Sequence, residues 1–457
     1  MFLILLFILN LCCGQLVLSD NKWINQHYTR SIDLSKGFVK EIDIIDIKNI
    51  DNKPQDVYYF TINDGFDSIG SISLFQAILN ENSIEVVSEE IESKIYKINL
   101  PFPISPNSNV ELKFNYIYSN TLTPIPGKIS LDDTQQLLFK TNKFPFSPYE
   151  TNDYSLSFTG MTKGQEMELH LNKTENLPVL EPRVESNTLK YGPAFDLPPF
   201  SLQPMGLMYD HNRPLTKANN LYRSIWLPAS DINKVSIEEY YELTNQGAQL
   251  DKGFSRFDWM KGRYESTRNH WALSHLEIPL LNRNLEEHYF IDKVGMNSNS
   301  KFIQNHLLLQ PRFPLFGGWN YNFTLGWNEE LSKFLHLNED YILKFPLLNS
   351  VRDVVYDNVY LEFYLPESSE FKNFSSPIPY ESISVDNELS YLDVSKGHVK
   401  VTVHYKNLFD NLHKLDVYLT YKYSKTDFYL KIGKISGFVF IGLISYYLLG
   451  LVNLNIN

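Results

Sequence analysis

The sequence predicts a mainly β fold, arranged as two tandem β-sheet domains followed by a single C-terminal transmembrane helix. Three observations carry that prediction. Several segments alternate apolar and polar residues with the two-residue period of a half-buried strand. Aromatic content is high, with 29 Tyr and 30 Phe in 457 residues, and such residues favour packed sheets over helical bundles. The only long uncharged apolar run beyond the N-terminus lies at the extreme C-terminus.

The N-terminus reads "MFLILLFILNLCCGQLVLSDNKW". Its apolar run, Phe2–Cys13, is too short to span a bilayer and gives way to polar residues at Ser19-Asp20-Asn21. A cleaved secretory signal over 1–19 is expected, with small residues at Gly14 and Ser19 as cleavage points, although no Lys or Arg precedes the run. A buried N-terminal strand is the alternative. Cys12 and Cys13 are the only cysteines and both lie in this segment. The mature chain would then hold no disulfide, no zinc–thiolate site and no cysteine nucleophile. A secreted body without disulfides must rely on a large core, and the length also exceeds what one core usually supports.

In the body, "VELKFNY" places Val110, Leu112, Phe114 and Tyr116 on one face. "NVYLEFYL" does the same with Val359, Leu361, Phe363 and Leu365. "VKVTVHY" aligns Val399, Val401, Val403 and Tyr405, and "LDVYLTYKY" aligns Leu415, Val417, Leu419, Tyr421 and Tyr423. A faint duplication accompanies them. "RSIDLSKGFVKEIDIIDIKN" begins at Arg30 and "RSIWLPASDINKVSIEEYYELTN" at Arg223, while "VELKFNYIYSNT" resembles "VYLTYKYSKT" near Val417. Chance likeness between two β-rich halves would look similar. Taken as a repeat, it divides the body at the turn-rich "DHNRPL", giving domains over 20–213 and 214–430.

The C-terminal run, Ile435–Val452, carries no charge. As a helix it would reach about 27 Å, which suits a span over 432–452 with a short tail at 453–457. A buried core helix is the alternative. With a signal peptide upstream, the body is expected in the lumen and the tail in the cytosol, a type I arrangement.

The formal net charge of −12, with no basic block, speaks against nucleic-acid partners. No histidine pair flanks a glutamate at helical spacing, and no Gly-x-Ser-x-Gly elbow or phosphate-cradling glycine loop occurs. The adjacent acids Glu89-Glu90 and Glu286-Glu287 read as solvated surface rather than a general acid and base. No catalytic residue, cofactor site or metal site is assigned. Three N-glycosylation acceptor patterns remain, at Asn172, Asn322 and Asn373. In "MELHL", Met167, Leu169 and Leu171 are expected to face inward. In "GGWNYNFTLGW", Trp319, Tyr321, Phe323 and Leu325 are expected in the core, with Asn320, Asn322 and Thr324 on the solvent face. Gly317-Gly318 fits a tight turn or bulge just before that strand.

The run "QPRFPLFGGWNYNFTLGWN", Gln310–Asn328, resembles the ribophorin I family. "RSIDLSKGFVK", "FPFSPYETND", "YGPAFDLPPFS", "GAQLDKGFSRFDW" and "YLDVSKGHVKVTVHYKN" agree in the same order, from Arg30 to about Asn407. The resemblance implies two tandem β domains in the lumen of the endoplasmic reticulum. It also implies a subunit of the oligosaccharyltransferase that moves a preassembled oligosaccharide from dolichyl diphosphate to Asn in Asn-x-Ser/Thr. In that family the subunit is an accessory, and a separate polytopic subunit performs the transfer. This chain carries no Trp-Trp-Asp motif of the catalytic subunit. Implied partners are the other subunits, nascent chains and the membrane. Some members carry a long cytosolic extension after the span, so a ribosome-facing role tied to that extension is in doubt here. A free-standing lumenal cargo receptor or chaperone, and a lumenal enzyme such as a glycosidase, are the competing readings.

Overall fold

The structure is a computed structural model that describes residues 22–451, apart from 65–68, 70, 80–83, 93, 186, 230–231, 265–270, 280–284, 350, 391–392 and 395. The expected signal segment and the tail after residue 451 lie outside the described residues. The mainly β prediction holds. Strands dominate, and the terminal helix Lys425–Leu451 is the one candidate span among the described residues.

Two compact units divide the chain. The first runs to Thr216 and also takes in Asn245–Leu273 and Phe316–Gly318. The second comprises Lys217–Thr244, Ser274–Leu315 and everything from Trp319 onward.

Each unit is a sandwich of a large sheet and a four-stranded sheet, and the two units share one strand order. In the first, the large sheet runs Arg183–Glu185, Thr188–Leu197, Thr151–Thr159, Trp23–Asp33, Val39–Asn49, Asn109–Ser119, Ser71–Leu79, with three further strands at that edge. In the second, the matching order is Ser382–Glu388, His398–Phe409, Val354–Leu365, Thr216–Trp226, Val235–Asn245, Asn320–Glu329, Glu286–Asp292. The small sheets correspond as well. Thr123–Pro124, Gln136–Asn142, Pro204–Asp210 and Thr162–Glu168 match Leu335–Leu337, Tyr341–Pro346, Asp416–Lys422 and Glu370–Ser375. Corresponding strands also follow the same order along the chain, so the architecture is duplicated.

The repeated Arg-Ser-Ile stretches therefore open equivalent hairpins. The second likeness does not survive. Asn109–Ser119 corresponds to Asn320–Glu329, not to Asp416–Lys422. Both segments alternate because each has one face on a core, and that period says nothing about a strand's place in a sheet.

Two of the four alternating strands bury the whole expected face, while in the other two Val399, Leu415 and Tyr423, at or just beyond the strand ends, are only half-buried. Val110, Leu112, Phe114 and Tyr116 are buried, as are Val359, Leu361, Phe363 and Leu365. Ring contacts between the sheets of the first unit, such as Tyr118 to Phe139 at 6.3 Å and Phe139 to Phe158 at 6.4 Å, close its core. Its large sheet also curls back on itself. Phe60, on the edge strand Gln55–Thr61, stacks on Phe114 at 4.0 Å although four steps of the sheet separate their strands.

Each core also holds one arginine. In the first unit Arg30, fully buried, pairs with the equally buried Glu41 through Nε and reaches the small sheet at Thr141 Oγ1, 2.8 Å away. Tyr118 donates to Glu41 at 2.8 Å. Asp43 lies opposite Arg30 in the hairpin register and accepts from Tyr28, Asn63 and Tyr116. In the second unit Arg223 lies 3.2 Å from Glu239, both fully buried, and 5.1 Å from the Phe345 ring of the small sheet. The two arginines occupy matching strands and carry out the same bridging between sheets.

Candidate functional site

The glycine pair of "FPLFGGWNYNFT" now has a physical account. A side chain on Gly317 would come within 2.1 Å of the Gly247 carbonyl and 2.3 Å of that of Ala248, and Gly318 adopts φ +79°. Only glycine tolerates that approach and that conformation. Just before the pair, Phe316 is fully buried against Trp271 at 5.0 Å, Trp259 at 5.6 Å and Phe254 at 5.6 Å. Just after it, the strand begins at Asn320.

That start corrects the expected register at one end. Trp319 is half-buried rather than core, because the left-handed Gly318 breaks the extended backbone before the strand opens. Tyr321 is half-buried too, and its hydroxyl reaches Asp292 at 3.3 Å. From Phe323 onward the prediction is met. Phe323, Leu325 and Trp327 are buried, and the Trp327 indole donates to Glu329 at 2.7 Å. Just upstream, Arg312 donates to Asp292 at 2.7 Å and to the Gly295 and Met296 carbonyls. Burial pushes the Asp292 carboxyl up, but the Arg312 and backbone bonds outweigh it and hold it below its usual range.

The three acceptor asparagines sit differently. Asn172 is exposed in the loop after Thr162–Glu168. The strand ends before Leu171, which is half exposed rather than inward, so the expected alternation there stops at Met167 and Leu169, themselves only partly buried. Its partner Thr174 is tied to Leu202 through backbone and hydroxyl. Asn373 is exposed on the strand Glu370–Ser375, at a bulge opposite Thr420. Asn322 lies on the outer face as expected but is only half exposed, and its amide donates to the Tyr240 hydroxyl at 3.0 Å.

The terminal helix has 27 residues and no buried side chain in its described length. At about 1.5 Å per residue it reaches roughly 40 Å, about 10 Å more than a hydrocarbon core. The surplus is its first two turns, and these are tied to the second unit. Lys431 Nζ lies 2.6 Å from Asp393 Oδ1 and 3.1 Å from Glu367 Oε2, and His398 Nδ1 lies 2.8 Å from Asp393 Oδ2. Asp393 and Glu367 are nearly inaccessible, so the pairs are shielded from water. Burial alone would raise the Asp393 carboxyl, but its bonds to Lys431, Ser390 and His398 hold it below the usual range. A cleft of about 230 Å³ opens beside the helix start, lined in part by Tyr341, Tyr421, Tyr423 and Leu331.

A span of this kind predicts a specific lesion. Arg in place of Ile441 should weaken membrane insertion by about 2.5–3.5 kcal/mol. Alkaline extraction checks this, since a variant that stays fully integrated would contradict a single-helix anchor.

The buried carboxyl of Asp43 offers no access to a substrate. Burial and the neighbouring Glu41 push Asp43 well above the usual range, yet both acids have no solvent exposure. Glu89, Glu90, Glu286 and Glu287 are exposed, and Glu287 is paired with Lys234. Among the described residues no group of three or more His, Cys, Asp or Glu is placed to hold a metal ion.

Duplicated β-sandwiches and a terminal helix bare along its described length define a membrane-anchored, mainly β protein. This chain belongs to the ribophorin I family, whose profile matches residues 23–450. Among its relatives, two proteins named dolichyl-diphosphooligosaccharide–protein glycosyltransferase subunit 1 are similar over nearly all of its length. The one from Caenorhabditis elegans is 25% identical, covering 90% of this chain and 69% of its own. The one from Schizosaccharomyces pombe is 26% identical, covering 92% and 93%. Subunit 1A from Arabidopsis thaliana is 28% identical over 72% of this chain and 52% of its own length. An M1 zinc metallopeptidase from Deinococcus radiodurans matches 46% of this chain and 50% of its own at 13% identity. Its TM-score of 0.25 carries no argument.

Proposed function

We propose that this chain is a non-catalytic subunit of the oligosaccharyltransferase, the complex that transfers a preassembled oligosaccharide from dolichyl diphosphate to Asn in Asn-x-Ser/Thr. In this reading residues 1–19 are a signal peptide, and 20–213 and 214–430 form two lumenal domains. The helix anchors them, type I, in the endoplasmic reticulum membrane. The observation that carries the proposal is the family match across 23–450, with relatives of that subunit name matched over 90% and 92% of this chain. The chemistry of the body supports it. Asp43, the acid whose carboxyl burial raises well above its usual range, is sealed in the core among Tyr28, Asn63 and Tyr116, and oligosaccharide transfer needs groups a substrate can reach.

The partners proposed are the other subunits, including the polytopic one that performs the transfer, and nascent polypeptides. Asn172, Asn322 and Asn373 are proposed as sites where the chain itself is glycosylated. The full chain, purified free of the polytopic subunit, should transfer no glycan to an acceptor peptide containing Asn-x-Thr. Measurable turnover in such a preparation would overturn the non-catalytic assignment.

A further inference from the structure

The large sheet of the second unit carries aromatic rings on the face away from its core. Tyr240, Tyr222, Tyr360 and His404 stand on four adjacent strands, each half-buried and each flanked along its strand by inward-facing buried residues. Their rings meet in sequence. Tyr240 and Tyr222 are 6.2 Å apart, Tyr222 and Tyr360 stack at 4.8 Å, and Tyr360 and His404 stack at 4.6 Å, nearly parallel. Burial and the nearby Lys406 lower the His404 pKa, which keeps the imidazole neutral against Tyr360. Polar groups flank the rings, among them the Asn220–Glu242 and Ser224–Glu362 pairs.

The sandwich core lies on the opposite face, so the core does not require this row. One end of the row states what would cover it. Asn322, on the next strand, donates to the Tyr240 hydroxyl at 3.0 Å, and Thr324, which completes the acceptor pattern, is the register partner of Tyr240. An N-linked asparagine keeps one amide hydrogen, so glycan attachment leaves a donor beside that hydroxyl.

We propose that the row Tyr240–Tyr222–Tyr360–His404 seats the N-glycan carried on Asn322. Attached at one end, the glycan lies across the strands rather than extending into solvent. Strands are spaced by about 4.8 Å, so four steps from Asn322 to His404 give roughly 19 Å, room for several pyranose rings. The exposed apolar surface of the rings meets the C–H patches of the sugars, and the flanking amides and carboxylates meet their hydroxyls. The inference rests on the reading that Asn322 is glycosylated, and the test separates the two.

The test uses the full chain in its detergent-extracted assembly. Intact-glycopeptide mass spectrometry first reads occupancy at Asn322. The rate at which an endoglycosidase releases that glycan is then compared between native and denatured protein. Occupied Asn322 with release slowed by about tenfold in the native state, the size of one good ring contact, is expected. Y222A/Y360A should abolish the protection in a chain that still melts cooperatively. Should that variant not fold, Tyr240→Phe, which removes only the hydroxyl facing Asn322, should still reduce it. An unmodified Asn322 overturns both the acceptor reading and the seat. An occupied site released equally fast from native protein, or protection untouched by the ring variants, overturns the seat alone.

Discussion

Replacing Arg30 by Met should cost the first unit about 3–5 kcal/mol, because it strands a carboxylate in the core. Glu41 has no exposure, and without the guanidinium it keeps the Tyr118 hydroxyl while lying beside Asp43. The Thr141 contact to the small sheet is lost with it. For a unit of 150–250 residues each kcal/mol moves the melting temperature by about 2–4 °C, so a fall on the order of 10 °C is expected. The paired variant, Arg30→Met with Glu41→Leu, should recover most of that loss, since a buried ion pair and a well-packed apolar pair are often close in stability. Thermal melting of the purified chain reads both. A single variant as stable as the paired one would remove the arginine from its bridging role. Because Arg223 and Glu239 occupy the matching hairpin, Arg223→Met should behave alike in the second unit.

The second large effect is at Trp327. Truncation to Ala empties a site with 1% exposure and removes the indole donor to Glu329, itself buried. The expected cost is about 3–5 kcal/mol, a large share of a domain's total stability. Trp319→Ala should cost clearly less, because that ring is half-buried and precedes the strand. Comparing the melting temperatures of the two variants checks where the core face of this strand begins. A Trp319 variant less stable than the Trp327 variant would carry the core face back past Gly318 to Trp319.

Strands with one face on a core were legible because the two-residue period is written in their side chains. Val359, Leu361, Phe363 and Leu365 are all fully buried, as their alternation predicts. The errors arose where alternation was carried past an end that backbone geometry sets. At Trp319 the interruption is Gly318, and at Leu171 the strand has already stopped at Glu168. The glycine pair itself signalled the first of these. The buried arginines were missed because an inward-facing charge looks like surface in any hydropathy pattern. Their signal was present in the repeated Arg-Ser-Ile, which places them on matching strands. The ring row was not readable at all, since Tyr222, Tyr240, Tyr360 and His404 meet only once four strands are paired. The return of Asn245–Leu273 to the first unit likewise depends on contacts distant in sequence, such as the pairing of Gln249–Leu250 with Lys128–Ile129.

Membership in the oligosaccharyltransferase is tested most directly by extracting the chain from membranes in mild detergent and identifying what co-purifies. The proposed function predicts stable recovery of a polytopic glycosyltransferase subunit together with further members of its complex. Recovery of the chain alone, from membranes where that complex itself stays intact, would contradict it.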